Sequence, residues 1–75
     1  MRKAVIDVGT NSTRLYVAEV GTAQKTILKK LETTRLGEGI GSSRTMGALP
    51  LSRTTDAIRD FFLDAKKAGV EDGQI

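Results

Sequence analysis

From Asp7 to Arg14 the chain reads Asp-Val-Gly-Thr-Asn-Ser-Thr-Arg, a run of side chains able to handle an anion. An apolar stretch ends here, Gly9 permits a tight turn, and the hydroxyls of Thr10, Ser12 and Thr13 follow with the Asn11 amide. Backbone amides exposed at such a turn converge and bind phosphate oxygens. The hydroxyls and Asn11 add donors, and Arg14 adds a forked cation that matches phosphate. Asp7 repels a phosphate unless a divalent cation lies between them, or unless the carboxylate orients an attacking water. Mg²⁺ suits the first role, being a hard cation that takes a carboxylate together with substrate phosphates. A Gly-Thr-Asn-Ser turn is also common, and Asp7 can equally accept backbone hydrogen bonds, so residue chemistry alone leaves both readings open. The run is not a Walker A sequence, since no Gly-Lys-Ser/Thr follows.

The elements that must hold this run are legible around it. Lys3 to Val8 is nearly all apolar and β-branched, which predicts a strand buried on both faces. Gly9 to Thr13 is the turn. Arg14 to Val20 predicts a second strand, with Leu15 and Val17 on one face and Tyr16, Ala18 and Val20 on the other, the two strands forming an antiparallel hairpin. Gln24 to about Leu36 reads as a third, outer strand anchored by Ile27, Leu28 and Leu31 among charged residues that discourage unwanted pairing. Gly37 to Pro50 is a glycine-rich loop. Ser52 is then the expected N-cap of a helix to about Ala68, whose apolar stripe is Ile58, Phe61, Phe62, Ala65 and Ala68. Lys66 and Lys67 suit the negative C-terminal end, and Gly69 a left-handed stop. The two phenylalanines belong to a core that three strands supply only in part. Beyond Gly69 a turn leads to Ile75, which reads as the beginning of a further element and predicts truncation before a fourth strand.

Composition narrows the chemistry. The 75 residues contain neither cysteine nor histidine, so disulfides, thiolate zinc sites and histidine catalysis are excluded. A chain of this length buries only about 60–65% of its unfolded surface, so its core is small. The net charge of +3 is unevenly spread, with +4 over residues 1–37 and −1 over residues 38–75. A basic front half concentrates anions, although Lys25, Lys29 and Lys30 also suit a solvated strand face. One Tyr, two Phe and no Trp leave out the stacking platform of a single-strand nucleic-acid binder. Asp7 interrupts the first apolar run too early for a signal peptide, and no run approaches the ~20 apolar residues of a membrane span. The expected location is the cytoplasm, where the acceptor-like triplet Asn11-Ser12-Thr13 is accidental.

Taken whole, the string Ile6-Asp7-Val8-Gly9-Thr10-Asn11-Ser12-Thr13-Arg14-Leu15 resembles the first phosphate motif of the actin-like (ribonuclease H-like) superfamily. Its fuller form is similar to that of the exopolyphosphatase and guanosine pentaphosphate phosphohydrolase family. Thr34-Arg35-Leu36-Gly37-Glu38-Gly39 resembles that family's Arg-Leu-Gly-Glu-Gly element, and Leu49-Pro50-Leu51-Ser52 the opening of its first helix. The resemblance covers the chain in order. It implies an α/β fold, the N-terminal part (residues 1–75) of a first actin-like domain, with an antiparallel β1-β2-β3 unit followed by one amphipathic helix. It implies hydrolysis of terminal phosphoanhydride bonds in polyphosphate or guanosine pentaphosphate, with Mg²⁺ (or Mn²⁺). Asp7 would serve metal or water, and Gly9, Thr10, Asn11, Ser12 and Arg14 would build the first phosphate loop. The rest of the parent chain, as a homodimer, would complete the enzyme.

The family's Ala-Thr-x-Ala-x-Arg strand, catalytic Glu and second glycine-rich loop do not occur in these residues. Glu38 matches a different family element and is not promoted to catalytic base. The expectation is half a phosphate clamp, inactive alone. A sugar or acid kinase using the same loop on ATP, and a free-standing phosphate-binding module without turnover, are the alternatives. The choice between polyphosphate and the guanosine nucleotide is not encoded in these residues.

Overall fold

Three strands, β1 (Arg2–Val8), β2 (Ser12–Glu19) and β3 (Lys25–Thr33), precede one long helix, α1 (Ala48–Lys67), and a short 3₁₀ turn (Asp72–Gln74). The structure is a computed structural model that describes residues 1–38 and 47–75. The strands form an antiparallel sheet in the order β1-β2-β3. This is the expected α/β arrangement of three antiparallel strands followed by a helix.

Register decides which side chains meet the helix. Ala4 faces Val17, Ile6 faces Leu15, and Val17 in turn faces Leu28. Leu15 and Val17 are completely buried, and with Ala4, Phe61, Ala65 and Val70 they make the core. Ile6, Leu28, Ala68 and Ile75 pack on its edge. Ala57 and Ala65 are buried on the helix, where small side chains let α1 approach the sheet and seat Phe61. Burying a side chain of that size contributes about 1.5–3 kcal/mol.

The burial expected on both faces of β1 is not found. Val5 is 60% exposed, and Val8 is exposed too. A single helix covers a single face of the sheet, and alternation sends Val5 and Asp7 to the other. Ile27 and Leu31 are likewise exposed, so only Leu28 of the three expected anchors reaches the core. β3 also ends at Thr33 instead of near Leu36, because the amides of Thr34 and Arg35 leave the ladder for the carbonyl oxygen of Asn11.

The helix begins at Ala48, and its N-cap is Gly47 with no side-chain cap, so Ser52 is not the cap expected. Pro50 explains the earlier start. The first amides of a helix have no intrahelical partner, so proline loses nothing in the first turn and its fixed φ favours the helix. Ser52 lies inside the helix, with its carbonyl accepting from the Thr55 hydroxyl. The buried stripe is accordingly Pro50, Thr54, Ala57, Phe61 and Ala65, while Ile58, Phe62 and Ala68 are half-buried at its margin.

At the other end the expectation at Gly69 is met. Gly69 has φ 89°, its amide donates to Lys66 O, and the Val70 amide donates to Ala65 O. That pair of bonds is the Schellman arrangement, which satisfies the last carbonyls and turns Val70 back into the core. The Arg2 guanidinium donates to Ala68 O, tying the start of β1 to the end of α1. Most of the glycine-rich loop expected from Gly37 to Pro50 falls on residues 39–46, outside the described residues. Among the described residues, no helix is long and apolar enough to cross a membrane.

Candidate functional site

The hairpin turn is built around Gly9. Its amide donates to Ser12 O at 2.9 Å, and a Cβ at this position would stand 3.1 Å from that same oxygen. Thr10 and Asn11 form the exposed tip, while Ser12 is half-buried at the start of β2. Their carbonyl groups are already engaged. Thr10 O accepts from the Gly37 amide at 2.8 Å, and Asn11 O accepts from the amides of Thr34 (3.2 Å) and Arg35 (2.9 Å). Among the described residues, neither the Thr10 nor the Asn11 amide donates a backbone hydrogen bond. The tip thus keeps its amide donors free of backbone partners among the described residues and has its carbonyl acceptors engaged, the polarity an anion requires.

Asp7 and Arg14 are direct cross-strand partners, both exposed on the sheet face that α1 leaves open. They line a concavity of about 570 Å³ together with Val5, Tyr16, Lys29 and Leu31. Lys29 Nζ lies 5.6 Å from the centre of the Tyr16 ring. Hydrogen bonds from the Thr26 and then the Gln24 side chains hold the Tyr16 phenol below its ordinary range. A second concavity, of about 510 Å³, lies between β3 and α1. Its helical side carries Asp56, Asp60 and Asp64 against the single cation Arg53, a poor match for a phosphate.

The structure therefore gathers Asp7, Gly9, Thr10, Asn11, Ser12 and Arg14 at one end of the hairpin. It removes Thr13 from the set of expected donors. Thr13 and Thr34 are both completely buried and share a hydrogen bond of 3.0 Å between their hydroxyls, so the Thr13 hydroxyl is spent inside the protein. Among the described residues, no three His, Cys, Asp or Glu side chains are arranged so that they could hold a metal ion.

Three contributors escaped sequence reasoning. Thr34 supplies the hydroxyl for Thr13 and an amide for Asn11. Gly37 lets the following turn touch Thr10, since a Cβ there would lie 3.1 Å from Thr10 Cβ. Arg53, on the second turn of α1, donates from Nε to Thr34 O at 3.1 Å and from its terminal nitrogen to Glu38 Oε2 at 2.5 Å. The Arg-Leu-Gly-Glu spelling of residues 35–38 marked the segment, but no local pattern revealed what it touches.

A hairpin whose turn carries Asp-x-Gly-Thr, a third antiparallel strand and a helix across one face form the N-terminal part of the actin-like phosphatase fold. More particularly, the chain is a structural match to the N-terminal region of Ppx/GppA phosphatases. Two crystal structures of the Aquifex aeolicus Ppx/GppA phosphatase each superpose with a TM-score of 0.90 at 25% identity, over 95% of this chain and 24% of theirs. An exopolyphosphatase from Cytophaga hutchinsonii shares the fold, with a TM-score of 0.87 at 22% identity, over 95% of this chain and 23% of its own. In sequence, the chain is 33% identical over 79 residues to the bifunctional 3-dehydroquinate synthase/phosphatase of Fusobacterium nucleatum, covering 97% of this chain. It spans only 12% of that relative. No protein-family model matches the chain.

Proposed function

We propose that this chain is the N-terminal part of a phosphatase that hydrolyses terminal phosphoanhydride bonds, in inorganic polyphosphate or guanosine pentaphosphate. The β1–β2 turn is its first phosphate-binding loop. The observation that carries this reading is the polarity of the turn: the Thr10 and Asn11 carbonyls are tied back, while among the described residues their amides donate to no backbone oxygen. The likeness to Ppx/GppA phosphatases, and to a relative whose name includes a phosphatase, supports the same assignment.

Each residue has a distinct task. Gly9 closes the turn, so the tip amides are fixed before substrate arrives and need no reorganisation. Arg14 supplies two parallel donors to phosphate oxygens from the open sheet face. The Thr10 and Ser12 hydroxyls and the Asn11 amide complete the donor set. Asp7 holds a metal or positions water. An exposed carboxylate among hydroxyl oxygens fits Mg²⁺ or Mn²⁺, and such an ion offsets charge on the phosphate oxygens. With Asp7 the one carboxylate of the Asp7–Arg14 run and no general base assigned beside it, the 75-residue chain alone is inactive. A second phosphate loop and the base come from the rest of the parent protein, which acts as a homodimer.

The test is phosphate release by the full-length gene product, with polyphosphate and guanosine pentaphosphate supplied separately and no nucleoside triphosphate present. Release from either, dependent on added Mg²⁺, supports the reading. Turnover that instead requires ATP and an acceptor sugar or acid would establish a kinase.

A further inference from the structure

We propose that Arg53 is a positioning residue for the hairpin loop, acting through the Thr34–Glu38 turn; the proposal rests on the phosphate-loop reading given above. The loop tip has no direct bond to α1 among the described residues. Its backbone support comes from the amides of Thr34, Arg35 and Gly37, which reach the carbonyls of Asn11 and Thr10. Arg53 grips that supporting turn at both ends, through the main-chain carbonyl of Thr34 and the carboxylate of Glu38. Among the described residues, it is the helix side chain that bonds the turn supporting the loop.

Two further observations fit a clasp better than a casual surface ion pair. Arg35 has φ 51°, a left-handed conformation uncommon for a residue with a Cβ. Such a conformation persists where its surroundings over-determine it. Here the surroundings are the bond from the Arg35 amide to Asn11 O, the bond from the Glu38 amide to Arg35 O, and the Arg53 grip on either side. Secondly, the Nε bond goes to a carbonyl whose own residue is wholly buried. Exposed ion pairs on their own hold little in place. A planar fork reaching a main-chain acceptor and a carboxylate together fixes the spacing between them, which a lysine cannot do.

The experiment compares wild type, Arg53→Ala and Arg53→Lys in the full-length gene product. It measures amide hydrogen exchange in the segment 33–38, and kcat and KM with inorganic polyphosphate. In Arg53→Ala, exchange in that segment accelerates by about tenfold, while amides of the β1–β2 ladder keep their rates. KM rises by about tenfold and kcat stays within about threefold, because the binding loop is misplaced while the catalytic groups are intact. Arg53→Lys recovers part of the KM, keeping one of the two contacts. Unchanged exchange in segment 33–38, or acceleration spread evenly over the sheet, overturns the proposal, as does an unchanged KM in an active enzyme. If wild type releases no phosphate but Arg53→Ala still loosens segment 33–38 selectively, the phosphatase reading fails and the mechanical clasp stands.

Discussion

The Gly37 amide donates to Thr10 O at 2.8 Å, in a contact so close that a Cβ on Gly37 would stand 3.1 Å from Thr10 Cβ. Two segments far apart in sequence, the hairpin tip and the turn after β3, are thereby locked main chain to main chain. Hydrogen bonds of this kind set the orientation of the tip without using any side chain that a ligand would need.

Gly37→Ala tests that contact. The added methyl must push Thr10 aside by a few tenths of an ångström, and overpacking of this kind costs about 1–3 kcal/mol. The expected result is a lowered melting temperature together with weaker polyphosphate binding by the full-length protein. An unchanged binding constant would show that the tip tolerates displacement.

Asp7→Asn keeps the shape of the side chain and removes its charge. Asp7 is exposed and makes no ion pair within the described residues, so folding has little to lose. Phosphate release should fall by about 10²-fold or more, the scale expected when a group handling the reacting water is removed. The melting temperature should not move. Near-normal turnover would remove Asp7 from the mechanism.

Arg14→Ala should weaken polyphosphate binding by about tenfold at low salt, with the deficit shrinking as salt rises. Arg14 is exposed beside Asp7, so its attraction for an anion is screened by mobile ions. Titrating binding against salt for both proteins gives the check. A deficit independent of salt would mean that the substitution changes the shape of the sheet face instead.

Phe61→Ala addresses the core. Phe61 is 6% exposed and packs with Leu15, Val17 and Ala65, so truncation should cost about 3–5 kcal/mol. In a sheet covered by one helix, a loss of that size should abolish cooperative melting of this unit. Phe62→Ala should cost far less, since its ring is half-buried and lies under Lys66 Nζ at 5.8 Å. Equal losses in the two variants would contradict the observed face of the helix.

Much of this could be read locally. Short β-branched apolar runs and side chains that divide between two faces define strands through local backbone geometry, so the hairpin and the outer strand were visible in Lys3–Val8, Arg14–Val20 and the residues after Gln24. Gly69 announced its left-handed turn because few other residues accept one. The run from Asp7 to Arg14 suggested an anion site because its donor types sit together in the chain, and the same adjacency carries the proposal made above. Helix boundaries were less legible at Ser52, where a good capping residue competed with a proline that favours the first helical turn equally well.

What the sequence by itself determined was therefore the set of elements, their order, and the donors at the hairpin tip. Tertiary structure alone decided which sheet face α1 covers, leaving Val5, Asp7 and Arg14 open. It decided that the Thr13 hydroxyl is spent on Thr34, that Thr34 and Gly37 bond the tip, and that Arg53 bonds Thr34 and Glu38. The physical reason is range. Periodicity and turn chemistry act between neighbours a few residues apart, whereas Thr13 meets Thr34, Thr10 meets Gly37, and Thr34 meets Arg53 only once the sheet has formed and the helix has docked.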